Sequence, residues 1–131
     1  MEDWKIKIAV LWLVFECFSL LTAILELWEP GFIEGLIAGE IAGIQLTPEM
    51  ILVFAIILVI PPVMAFLSLT LKDSVNRWVN IILGIVFAVL ATIGTSDFLA
   101  KLSPWAIVIW GSQVVANALI VWYAWKSKQK A

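Results

Sequence analysis

The chain has 131 residues, 63% of them hydrophobic and only 14% charged, with a mean hydropathy of +1.07. A soluble domain averages about 45–50% apolar and about 25% charged, and a small one buries only about two-thirds of the surface it could expose, so a water-soluble fold is excluded. Ten acidic and eight basic residues leave a net charge of −2, and the absence of histidine removes the usual neutral-pH general base and the commonest metal and haem ligand.

A helix needs about 20 apolar residues to cross the hydrocarbon core. The first such stretch is 8–27, preceded by Lys5 and Lys7. It contains Glu16, is long for a signal-peptide core and lacks a small-x-small cleavage site, so it reads as a retained helix. Trp12, Glu16, Ser19, Ala23 and Glu26 follow at three- and four-residue steps and share one face. Charge is expensive at the depth of Glu16, so this face must look into the bundle, an oligomer interface or a watery cavity. Cys17 is the single cysteine. It cannot form an intrachain disulfide, a redox pair or a structural zinc site, and reads as a packed, inert thiol.

Residues 31–45 place Gly31, Gly35, Gly39 and Gly43 four apart, with Ile33, Ile37 and Ile41 in step. On a helix these would form a glycine stripe beside an isoleucine stripe. The segment covers only about 20 Å at helical rise and carries Glu34 and Glu40, so it is predicted to lie on the outer interface or to re-enter as a short hairpin, serving as a packed lid or a gate.

The second span, 51–71, has no charge. Thr47 and Pro48 form a helix start, and Pro61-Pro62 predict a mid-span kink. The third span is 78–93, introduced by Asp73 or Ser74, with room for one helical turn in Thr95–Leu102. Asn76, Asn80, Gly84 and Ala88 fall four apart, and Gly84-x-x-x-Ala88 is a close-packing face. The fourth span, 105–125, follows Ser103-Pro104 and carries Gln113 and Asn117 on one face. Asn117 matches Glu16 in depth, so a Glu16–Asn117 hydrogen bond is expected.

These spans predict a single all-α domain, an antiparallel four-helix transmembrane bundle. Seven of the eight basic residues (Lys5, Lys7, Lys72, Arg77, Lys126, Lys128, Lys130) fall on one side and Lys101 on the other, so both termini are expected in the cytoplasm. Trp78, Trp122, Tyr123 and Trp125 fit an inner aromatic belt, Trp28 and Trp105 an outer one.

The run Pro30-Gly31-Phe32, then Gly43-Ile44-Gln45-x-Thr47-Pro48, Pro61-x-x-Met64 with Leu67-Ser68, Asn76-Arg77-Trp78-x-Asn80-Ile81-Ile82, and Ile120-Val121-Trp122-Tyr123-Ala124-Trp125 resemble a family of small prokaryotic four-helix membrane proteins of unknown function. The likeness covers most of the chain in order and implies four spans in a prokaryotic cell membrane. The family tends to carry an acidic residue near the end of the first helix and another before the mid-span proline; here those places hold Ala23 and Val59. A looser likeness to DoxX-type proteins is one of architecture, which does not fix function.

The residues expected to bind a ligand are Glu16, Gln113, Asn117, Ser19 and Trp12. The leading expectation is a bundle core that binds or passes a small molecule, with Glu16 as a proton-linked group. The alternative is an accessory subunit that assembles as a homo-oligomer or with a membrane partner. Membrane lipids are the other expected partners. No basic run or phosphate loop points to nucleic acid or nucleotide. No metal or other cofactor is expected, and without histidine an enzyme is not the expectation.

Overall fold

The computed structural model describes residues 3–41 and 43–127. Helix α1 spans Asp3–Glu26, α2 Phe32–Ile37, α3 Pro48–Thr70, α4 Asp73–Ala100 and α5 Pro104–Ser127, with strands β1 (Glu40–Ile41) and β2 (Ile44–Gln45) between α2 and α3. The four long helices are each long and apolar enough to cross a membrane, and they pack antiparallel. Their outward residues are apolar: Val10, Leu13, Leu52, Val59, Ile85 and Val108 are all exposed. A helix dissolved in lipid needs no polar outer face, because its backbone bonds are made internally.

Proline and side-chain oxygens set the helix boundaries. Thr47 is extended and its Oγ1 accepts from the amide of Met50, while Pro48 takes the first helical turn, where no amide donor is required. Helix α3 remains continuous through Pro61 and Pro62. Helix α4 runs well past its expected end at residue 93 and absorbs most of the predicted linker. No proline interrupts it before Pro104. The hydroxyls of Thr92, Thr95 and Ser96 turn back onto the carbonyls of Ala88, Ala91 and Ile93, and Asp97 pairs with Lys101 one turn on (3.2 Å).

The segment after α1 does not form the helix with a glycine stripe that its period suggested. It holds α2, a helix of six residues, and a minimal antiparallel ladder with Glu40 opposite Gln45 and Ile41 opposite Ile44. Gly31, Gly39 and Gly43 all have φ near +80°, a conformation that ends helices and closes turns and that other residues rarely adopt. These three glycines serve turns, whereas Gly35, the remaining member of the four-residue repeat, lies inside α2.

Helix α1 packs against both α3 and α5, and α5 against α4, whereas α3 and α4 meet sparsely. Near their connecting loop these two helices are tied by a buried polar cluster. Asn76 Nδ2 donates to the Ser68 carbonyl (2.7 Å), and Ser68 Oγ to Asn80 Oδ1 (3.2 Å). Asn80 Nδ2 donates to Asn76 Oδ1 (2.6 Å), and Trp12 Nε1 brings α1 in by donating to Asn80 Oδ1 (2.7 Å). Beyond that cluster Trp12, Phe15 and Phe87 form an edge-to-face triad with centroids 5.6–6.1 Å apart. Beyond the triad the two helices leave a cleft.

Cys17 is exposed on the outer surface of α1, not packed as expected. It adjoins Glu16 in sequence, and a step of one residue turns a helical side chain by about 100°.

Candidate functional site

The cleft comprises two adjoining cavities of about 130 and 390 Å³ that have Ser19, Thr22, Ile57 and Leu58 in common. Helix α1 forms its floor, α3 and α4 its two walls. The smaller cavity is bounded by the aromatic triad through Phe15 and Phe87 and reaches Glu16 and Gln113. The larger lies toward the α2 end, where Glu26 and Asp97 line it and Phe32 and Ile41 cover it. The cover is anchored from both sides: Phe32 packs on Phe98 (6.4 Å between centroids), Phe98 on Trp105 (5.1 Å), and Trp105 Nε1 donates to Glu29.

The three- and four-residue steps on α1 determine the floor. Glu16, Ser19, Ala23 and Glu26 all line the cleft, as a shared helical face requires. Gln113 reaches the same floor from α5 and donates its amide to Ser19 Oγ (2.9 Å) and the Phe15 carbonyl (3.5 Å). Three of the five expected ligand-binding residues, Glu16, Ser19 and Gln113, are therefore brought together at one cavity.

The other two lie elsewhere. Trp12 is fully buried one turn below Glu16 and belongs to the asparagine cluster. Asn117 is buried against α4, where its backbone carbonyl comes within 3.5 Å of the position a Cβ on Gly84 would take, and its amide donates back to the Gln113 carbonyl (3.1 Å). The expected Glu16–Asn117 bond is not made: Glu16 Oε1 and Asn117 Oδ1 are both buried without a hydrogen-bond partner. Equal depth in the membrane did not bring them together, because a four-residue step turns α5 by about 40° and carries Asn117 away from α1 toward α4.

Two features of the cleft were open to sequence reading but were not assigned to it. Glu26 lay on the recognised α1 face. The Pro61-Pro62 pair supplies no amide hydrogens, so the carbonyls of Ile57 and Leu58 lack their helical i+4 donors, and both residues line the cleft. Asp97 was hidden by the expectation that α4 ends near residue 93. Among the described residues no group of three or more His, Cys, Asp or Glu is placed to hold a metal ion.

Four membrane-spanning helices and a polar-floored cleft between three of them define a multi-pass membrane protein with an open cleft in its bundle. The chain belongs to a family described as Family of unknown function (DUF6326), whose match covers residues 1–129. No curated protein and no solved structure matches it significantly.

Proposed function

We propose that this protein binds a small molecule in the α1–α3–α4 cleft, within the span of the membrane, either to hold it or to pass it across. The observation that carries this reading is Glu16: a carboxyl set among apolar helices, lining a cavity, with Oε1 buried and bonded to nothing. An intramembrane carboxyl that served only packing would be expected to bridge two helices, since an unpaired buried polar atom costs about 1–3 kcal/mol. Here the bridge between α1 and α5 is made by Ser19 and Gln113 instead. The combined cavity is of the size that small ligands occupy, about 300–1,000 Å³, and its walls are mainly apolar with few polar groups, the usual make-up of such sites. The reading is one of binding or passage, not of catalysis.

The orientation that goes with it puts both termini on the cytoplasmic side of a prokaryotic cell membrane. Lys5, Lys7, Lys72, Arg77 and Lys126 at the terminal end support it. The α2 segment then forms an outer cover over the wider cavity.

Native mass spectrometry of the protein released from its own membrane tests the proposal. The wild type should carry a small molecule that Gly94→Trp lacks. Gly94 lines the larger cavity, and a Cβ there meets nothing within 4 Å, so the indole can fill the cleft without displacing backbone. A wild type that carries no such molecule, or an adduct unchanged in the filled variant, would contradict the proposal.

A further inference from the structure

The hydrogen-bonding capacity of the cleft is one-sided. Every hydroxyl proton on its lining is already committed to backbone: Ser19 donates to Phe15 O (3.2 Å), Thr22 to Phe18 O (2.9 Å) and Thr95 to Ala91 O (2.8 Å). The Gln113 amide is engaged by Ser19 and Phe15 O. No lysine, arginine or tryptophan lines either cavity. Apart from any proton the carboxyls themselves hold, what lines the space is a set of acceptors. These are the carboxyls of Glu16 and Glu26, the spare lone pairs of the hydroxyls, and the Ile57 and Leu58 carbonyls that Pro61 and Pro62 leave without helical partners; Asp97 at the wider cavity is already paired with Lys101. Rings complete the lining: Phe15 and Phe87 at the inner cavity, Phe32, Phe54 and Phe98 at the wider one.

Resting on the binding proposal above, we infer that the occupant of the cleft is an organic cation that donates hydrogen bonds, an ammonium or guanidinium group carried on an apolar body. A donor head satisfies acceptors that nothing else in the cleft can reach. Its charge favours and offsets the ionised form of the Glu16 and Glu26 carboxyls, whereas an anion would favour their protonated form and gain no ion pair. A cation also gains from lying over aromatic faces. A neutral apolar guest would fill the volume and leave the acceptors unpaired, at a cost that buried polar groups exact in full. The sparse α3–α4 contact gives such a molecule, drawn to the bilayer by its apolar body, a side entrance from the lipid.

Equilibrium dialysis of the full chain in lipid nanodiscs, with empty nanodiscs as reference, separates the possibilities using three probes of one shape: 2-(2-naphthyl)ethylamine, the matching neutral alcohol, and 2-naphthylacetate. The amine should bind about tenfold or more tightly than the alcohol, the scale of one charge-assisted hydrogen bond, and the acetate should show no binding above the reference. Glu26→Gln, at the α2 end of the cleft, should weaken the amine by about tenfold and leave the alcohol unchanged. If alcohol and amine bind equally and Gly94→Trp abolishes both, the cleft binds guests but the cation assignment is overturned. If amine binding is the same in Gly94→Trp as in the wild type, or if no probe exceeds the reference, the assignment is overturned together with the binding proposal.

Discussion

Gln113 donates its side-chain amide to Ser19 Oγ across 2.9 Å, the shorter of its two bonds to α1 on the floor of the cleft, a turn away from the Glu16 carboxyl whose Oε1 makes no hydrogen bond. The pairing frees Glu16 from any structural duty between these helices. Gln113→Leu should therefore lower stability by only about 0.5–1 kcal/mol, the size of an interhelical hydrogen bond in a membrane. Reversible unfolding in mixed detergent micelles measures it. A loss of several kcal/mol would mean that Gln113 supports more than Ser19 and the Phe15 carbonyl.

The asparagine cluster should behave differently. Asn80 accepts from Trp12 and Ser68 and donates to Asn76, all fully buried. Asn80→Ala strips partners from Trp12 Nε1 and Asn76 Oδ1 together, and each orphaned group costs about 1–3 kcal/mol. The same unfolding assay should show Asn80→Ala well below Gln113→Leu. Equal losses would contradict the view that the cluster, and not the cleft floor, holds the bundle closed at the terminal end.

Two glycines offer a matched comparison. A Cβ on Gly84 would sit 2.8 Å from Val121 Cγ2, and the β-branched valine has little freedom to turn aside. Gly84→Ala should push α4 from α5 and cost about 1–3 kcal/mol. Gly111→Ala meets nothing within 4 Å and should stabilise α5 by up to about 1 kcal/mol through helix propensity. Thermal unfolding of the two variants should move in opposite directions. If both destabilise alike, close α4–α5 packing at Gly84 is not the reason for that glycine.

Much of this architecture could be read along the chain, because bilayer thickness fixes helix length and proline marks helix starts. Pro48 and Pro104 stand at the first positions of α3 and α5, where the Thr47-Pro48 and Ser103-Pro104 pairs placed them. The stripe from Glu16 to Glu26 was likewise legible, since a helix converts three- and four-residue steps into one face. What failed were inferences across elements. The glycine repeat has the period of a helix face but serves chain reversals at Gly31, Gly39 and Gly43, which only backbone angles reveal. Depth along the membrane suggested that Glu16 meets Asn117, but partners are chosen by rotation about each helix as well as by height. Cys17 turned outward for the same reason.

The account rests on Glu16 facing an open cleft and not a packed helix surface. Labelling with a lipid-soluble carbodiimide, which couples to carboxyl groups it can reach in an apolar setting, measures this most directly when the modified residues are located by peptide mass spectrometry. Glu16 should be modified along with Glu26, the other α1 carboxyl on the cleft, and prior saturation with 2-(2-naphthyl)ethylamine should slow both. Modification of Glu26 with Glu16 left untouched would show that the deeper carboxyl is sealed in the bundle, and would contradict the binding site described for this protein.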